Sequence, residues 1–176
     1  KLISDIAAAS KLDSELYKDK MNKINLSKLI FGLINIKKTT IKKIKFKTII
    51  KEDYLVWGNE NRLVQIVENI IGNAVSFNPE KGLITIEIKK TNKNIVLIIE
   101  DQGPGIAEGK FKTIFDRFYS ERPKSDQYSN HSGLGLSIVK QIIKAHDGKI
   151  KAENIYGDKK KVLGSKFTIF LNSINN

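Results

Sequence analysis

Asn69 and Asn73 stand four residues apart in a segment where Leu63, Val67, Ile70, Ile71 and Ala74 recur at helical intervals. The pattern predicts a helix that begins near Asn59 and stops before Asn78-Pro79. On such a helix both carboxamides project from one face, away from the apolar stripe. A carboxamide oxygen is a hard, neutral ligand. It suits Mg²⁺, which keeps several waters and shares its shell with substrate phosphates. Asn73 can therefore hold the metal on a triphosphate. Beside it Glu68 is a carboxylate able to take a proton from an attacking nucleophile, and Arg62 and Gln65 can line the same face. Taken alone, the same residues also fit an ordinary polar helix face.

Asp101 closes the apolar run 95–99 and is followed by Gln102-Gly103-Pro104-Gly105. A buried aspartate accepts a hydrogen bond from an exocyclic amine such as that of adenine, and two glycines let the backbone approach a flat ring. A plain glycine turn has the same composition. Further on, Ser132-Gly133-Leu134-Gly135-Leu136 opens a helix, where free backbone N–H groups and the positive end of the helix dipole can meet a phosphate. No third glycine follows at dinucleotide-fold spacing, the preceding segment is not a strand, and no Walker lysine is present. Phosphate binding here belongs to neither the Rossmann nor the P-loop architecture.

These residues need elements to position them. Apolar residues from Leu2 to Leu16 recur at helical spacing over residues 1–20, and a second amphipathic helix starts after Asn25. Residues 46–50 and 55–57 read as short strands. Ile84, Ile86 and Ile88 alternate within 83–90, and after a turn at 92–94 the run 95–99 is apolar throughout, so these form a hairpin whose second strand is the more buried. Residues 102–132 form a long segment around a short aromatic helix at 111–119, and loops of this length in compact domains are usually functional. A helix over 134–146 ends at Asp147-Gly148, and strands at 149–155 and 165–171 flank a turn near Gly157-Asp158. Strands and helices do not alternate strictly. The expected fold is an α+β two-layer sandwich, a mixed sheet with helices on one face.

The 176 residues suffice for one domain plus a short attached element, and 40% hydrophobic with 28% charged residues is globular composition. No stretch approaches the roughly 18 consecutive apolar residues of a membrane span. With no cysteine there is neither a disulfide framework nor a thiolate metal site. The net charge of +12 is carried by lysines spread along the chain, as in Lys37-Lys38, Lys42-Lys43 and 159–161, without interleaved aromatics. This reads as a solvated surface, not as a nucleic-acid platform.

The motifs occur in an order that resembles the histidine kinase branch of the superfamily that also holds gyrase, the heat-shock-90 chaperones and the mismatch-repair ATPases. Glu68-Asn69-Ile70-Ile71-Gly72-Asn73-Ala74 resembles its N box and Asp101-Gln102-Gly103-Pro104-Gly105-Ile106 its first glycine box. Phe115-Asp116-Arg117-Phe118-Tyr119 resembles the F box and Gly133-Leu134-Gly135-Leu136 the second glycine box. The resemblance covers roughly residues 26–171, and the start of the chain is similar to the end of the family's dimerisation and histidine phosphotransfer domain. The stretch Phe118-Tyr119-Ser120-Glu121-Arg122-Pro123 is similar to that of envelope- and acid-sensing kinases of alphaproteobacteria.

The resemblance implies a Bergerat-type ATP-binding catalytic domain over 21–176, preceded by a dimerisation-domain helix and linker over 1–20, with an ATP lid at about 119–132. It implies ATP and Mg²⁺ as cofactors. It assigns Asn73 to Mg²⁺, Asn69 to the phosphates or metal environment and Asp101 to the adenine amine. Gly103, Gly105, Ile106, Gly133, Leu134, Gly135 and Leu136 become the walls of the nucleotide site. Phe115 and Phe118 would anchor the lid by packing, with Phe118 also among the nucleotide-binding residues, and Glu68, Asn69 and Arg117 are the catalytic candidates, Arg117 through the γ-phosphate or the phosphotransfer domain. One departure stands out: Ser76 occupies a position where the N box often has lysine, so phosphate charge must be met elsewhere, with Lys110, Lys112 and Arg122 as candidates.

The implied reaction transfers the ATP γ-phosphoryl to a histidine outside this chain, for relay to an aspartate of a response regulator receiver domain. His131 and His146 read as structural. The implied partners are the phosphotransfer domain of the same kinase and the receiver domain, in a homodimeric parent protein. The parent is expected in the inner membrane with this domain in the cytoplasm, and no nucleic-acid partner is expected. The alternatives are a nucleotide-binding docking module without turnover and a related ATPase of the same superfamily.

Overall fold

The computed structural model describes residue 16 and residues 18–120 and 133–174. Most of the expected first helix therefore lies outside the described residues. A short strand β1 (Asn22–Asn25) leads into helix α1 (Leu26–Thr40), and strands β2 (Lys45–Ile50) and β3 (Leu55–Gly58) precede helix α2 (Glu60–Phe77). The hairpin β4 (Leu83–Lys90) and β5 (Asn94–Glu100) follows, then helix α3 (Gly135–Ala145) and strands β6 (Lys149–Tyr156) and β7 (Val162–Asn172).

Asparagines start both long helices: the side chain of Asn25 accepts from Lys28 N–H at 3.0 Å and that of Asn59 from Arg62 N–H at 3.2 Å, each satisfying a donor the first turn leaves unpaired. Helix α3 ends with Asp147 at φ 52° and a bond from Gly148 N–H to the Ile143 carbonyl. The Asp147-Gly148 stop is thus a left-handed helix cap.

The main sheet has the order β2-β4-β5-β7-β6, with β2 and β4 parallel and the other pairs antiparallel. This is the mixed sheet expected, with the helices on one face. Ile84, Ile86 and Ile88 of β4, Ile95, Leu97 and Ile99 of β5, and Phe167, Ile169 and Leu171 of β7 share one core with Ile66, Ile70 and Ile71 of α2 and Ile142 and Ile143 of α3. The other members of the β5 run, Val96 and Ile98, point to the opposite face yet are buried. On that face Lys151 stands 5.8 Å from the centroid of the Phe170 ring, and Lys166 pairs with Glu153. Long lysine stems cover apolar surface there while their charges stay in water.

Three details differ from the sequence-based expectation. Strand β1 pairs antiparallel with β3 in a separate two-stranded sheet, an unexpected element because residues 22–25 are too short and polar to show a period. Strand β7 starts at Val162, three residues early, because its register with β6 shifts at Ile155/Tyr156. The expected aromatic helix at 111–119 is only a 3-10 turn at Thr113–Phe115, ended by an extended Asp116 and by Phe118 at φ 64°.

At the far end of α2, a network ties the chain's entry to the core. Leu16 is buried, Arg62 Nε donates to Asp19 Oδ2 at 2.6 Å, and Asn59 Nδ2 donates to the Lys20 carbonyl at 3.3 Å. His146 is buried under Gly58, accepts from Asn59 N–H at Nε2 (3.0 Å) and lies 2.8 Å from the Ile142 carbonyl at Nδ1. These partners require a neutral ring with its proton on Nδ1. Burial pushes its pKa below the ordinary 6.5, against smaller opposing effects from the Ile142 carbonyl, Asp19 and Asp147. Because the folded state resists protonation, stability is full above about pH 6.5 and declines as pH falls below it, where only the unfolded chain gains the proton. Urea denaturation across that window should show the decline in the parent chain and a flatter profile in His146→Gln.

Candidate functional site

Beyond the core, the helix layer and the end of the sheet enclose a cavity of about 500 Å³. Asn69, Asn73 and Phe77 reach it from successive turns of α2, with Glu68 at the edge. Asp101, Pro104, Gly105 and Ile106 form a second wall, and Tyr119, Ser120, Gly133, Gly135 and Leu136 a third. Gly72, Ala74, Ile114, Ser165 and Phe167 complete the lining.

Asp101 is a buried charged group of the cavity, 6% exposed, beside the equally buried Ser165. Its Oδ1 accepts from Gly103 N–H at 2.8 Å and from Ser165 N–H at 3.3 Å, and its Oδ2 accepts from the Ser165 hydroxyl. Its backbone N–H in turn donates to the Ser165 carbonyl at 3.0 Å. A carboxylate offers about four acceptor sites, so three protein donors leave room for one donor from the cavity. The arrangement requires Gly164: a Cβ there would lie 1.8 Å from the Asp101 carbonyl oxygen.

The glycine turn after Asp101 is held by Asn154 of β6. Its Oδ1 accepts from Ile106 N–H at 2.7 Å and its Nδ2 donates to the Ile106 carbonyl at 2.8 Å, a two-point clamp on the main chain. Gly105 sits there at φ 80°, and a Cβ would meet Val162 Cγ1 at 2.4 Å, so no other residue fits the turn without displacing β7. Across the cavity the two remaining motifs meet: a Cβ on Gly135 would lie 3.2 Å from Asn69 Oδ1.

The structure therefore gathers Glu68, Asn69, Asn73, Asp101, Gly105, Ile106, Gly133, Gly135 and Leu136 around one cavity. Gly103 and Leu134 are buried behind it; Gly103 serves through its bond to Asp101, and the Leu134 carbonyl accepts from the Ser137 hydroxyl at 2.8 Å. Arg117 and Phe118 are exposed and do not line it, whereas Phe115 packs edge-to-face on Phe167 with centroids 6.4 Å apart. Lys110 stands 6.0 Å over the Tyr119 ring, and Lys112 is exposed. Arg122, His131 and all but the first two residues of the expected lid lie outside the described residues.

Sequence reasoning missed Phe77, Ser165, Asn154 and Gly164. Phe77 had a signal, since it extends the Asn69 and Asn73 series by one further step of four. The other three had none, because each acts across the sheet on a residue 48 or more positions away.

The donor set of the cavity fits Mg²⁺ carried on a nucleotide better than a resident metal. Among the described residues no cluster of three His, Cys, Asp or Glu side chains could hold a metal ion, and α2 offers the cavity the carboxamides of Asn69 and Asn73 beside the Glu68 carboxylate.

Residues 58–174 match the family model described as the histidine kinase-, DNA gyrase B-, and HSP90-like ATPase. The chain belongs to that family. Among curated proteins it is 37% identical over 97% of its length to the sensor protein ChvG of Rhizobium meliloti. It is 29% identical over 89% of its length to the sensor histidine kinase WalK of Bacillus subtilis. It spans 31% of the former and 26% of the latter, so it is similar to about a third or less of each. Among solved structures it superposes on the catalytic domain of the histidine kinase ThkA with a TM-score of 0.75 at 26% identity, covering 88% of this chain and 98% of that one. The fold also matches the mycobacterial sensor histidine kinase MprB, with a TM-score of 0.76 at 24% identity over 89% of this chain and 100% of that one. The chain is thus a histidine-kinase-type ATPase domain, and no helix among its described residues is long and apolar enough to cross a membrane.

Asn154→Ala should strip both main-chain partners from Ile106 and leave partly buried polar groups unsatisfied, a cost of about 1–3 kcal/mol each. The expected result is a lower urea midpoint together with at least about tenfold faster hydrogen exchange at the Ile106 amide, read by NMR.

Proposed function

We propose that this chain binds Mg²⁺-ATP in the cavity between α2 and the Asp101 turn and transfers the γ-phosphoryl to a histidine of a phosphotransfer domain outside residues 21–176. The supporting observation is that Asp101 and the Asn69/Asn73 pair open into the same cavity, one suited to an amine and the other to a metal-bound phosphate.

Asp101 accepts the adenine amine at its remaining site. The ring lies against Ile106 and Phe77, with the turn at Gly103 and Gly105 allowing the close approach. Asn73 would hold the Mg²⁺ and Asn69 would stand beside the phosphates and metal. The metal, when bound, neutralises charge on the β- and γ-phosphate oxygens. Gly133, Leu134, Gly135 and Leu136 bring backbone N–H groups at the start of α3 toward the phosphates, and the segment about 119–132 acts as a lid, with Arg117 serving the γ-phosphate or the incoming domain. The attacking imidazole nitrogen forms a P–N bond as the bond from the γ-phosphorus to the bridging oxygen breaks. ADP leaves, and Glu68 takes the ring proton. The protein contributes chiefly positioning and charge neutralisation.

Residues 1–20 are read as the end of the dimerisation and phosphotransfer domain with its linker. The parent protein is read as a homodimeric, membrane-anchored sensor kinase whose phosphohistidine passes its phosphoryl to a receiver-domain aspartate, with this domain in the cytoplasm.

Calorimetric titration with a non-hydrolysable ATP analogue tests the reading. Asp101→Asn should weaken binding at least tenfold, about 1.4 kcal/mol, and Asn73→Ala should abolish the dependence of affinity on Mg²⁺. A folded parent chain that binds no nucleotide would refute the proposal.

A further inference from the structure

The cavity holds two carboxylates and, among the described residues that line it, no lysine or arginine. A triphosphate is repelled by such a wall unless each negative charge is offset. At one end Asp101 is offset by its three hydrogen-bond donors. At the other end Glu68 lies next to Asn69, where the phosphates are proposed to lie, and it lines the cavity with 40% of its side chain exposed. Its hydrogen-bond and ion-pair partner is Lys37 of α1, whose Nζ lies 2.5 Å from Glu68 Oε2. Lys37 does not line the cavity; it approaches Glu68 from behind, with only 22% of its side chain exposed.

Helix α1 is built to deliver this charge. Lys37 and Lys38 occupy its last turn, where the unpaired carbonyls favour a cation. Lys37 continues the face that carries Leu26, Ile30 and Ile34, which is locked in the core, so the packed stripe fixes where the ammonium leaves the helix and keeps it half-buried against α2. Ser76, on the turn after Asn73, brings no charge of its own.

We infer that Lys37 is a positioning residue for the phosphate end of the nucleotide: it holds and neutralises Glu68, so that a polyanion meets a charge-balanced wall beside Asn69 and Asn73. Lys37 acts through Glu68 and touches neither the base nor the phosphates. This rests on the nucleotide-binding reading above.

The test compares a non-hydrolysable ATP analogue with adenosine by calorimetry in the parent chain, Lys37→Met, Lys37→Arg and Lys37→Met/Glu68→Gln, with ligand-free melting confirming that each variant is folded. Lys37→Met should weaken the ATP analogue about tenfold and leave adenosine within about twofold, since adenosine carries no phosphate charge. Lys37→Arg should stay within about threefold of the parent chain, and removing the Glu68 charge in the double variant should return the affinity to that range. Equal losses for both ligands would overturn the inference in favour of a packing role. Failure of Glu68→Gln to rescue would overturn it in favour of direct phosphate contact by Lys37. An unaffected Lys37→Met would overturn it alone, whereas a parent chain that binds neither ligand would overturn the nucleotide reading and this inference together. If Lys37→Met does not fold, the Lys37→Gln pair of variants supplies the same comparison.

Discussion

The Asp101 carboxylate accepts hydrogen bonds from Gly103 N–H, Ser165 N–H and the Ser165 hydroxyl, and through them it joins the end of β5 to the glycine turn and to β7. A carboxylate out of water is costly unless its lone pairs are filled. The satisfied group is therefore a constraint on everything around it: β7 must run close enough for Ser165 to reach, which only a residue without Cβ at position 164 permits. The turn must then fold back over the sheet end, where Asn154 fixes Ile106. One wall of the cavity follows from these contacts.

The other wall is a single helix. Asn59 caps α2 at one end, and Asn69, Asn73 and Phe77 occupy the cavity side of its later turns while Leu63, Ile66 and Ile70 face the core. The same helix is anchored at its first turn by Asp19, Lys20 and His146. The entry of the chain and the site residues are thus attached to opposite ends of one rigid element.

Charge is divided between the inside and the outside of the molecule. The cavity presents carboxylates and carboxamides, whereas the excess of lysine lies on the surface and on the outer face of the sheet, where Lys151 and Lys166 extend over β7. Among the described residues the excess positive charge therefore lies outside the cavity lining. Lys37 brings one of those charges against the rim of the cavity through Glu68.

The amino-acid sequence by itself determined the features that are periodic or local. The apolar spacing of α2, the alternation of β4, the buried run of β5 and the Asp147-Gly148 stop each contain their own signal within a few residues, and the mixed sheet with helices on one face follows from their order. The four motifs were legible because their residues are contiguous. Tertiary structure alone decided how the motifs meet. Ser165 lies 64 positions from Asp101, Asn154 48 positions from Ile106, and Lys37 31 positions from Glu68. The pairing of β1 with β3, and the exposure of Phe118 beside the buried Phe115, belong to the same class. Such contacts leave no local trace, because chain closure brings together residues whose individual preferences are indifferent to one another, and only the packed core fixes the distance between them.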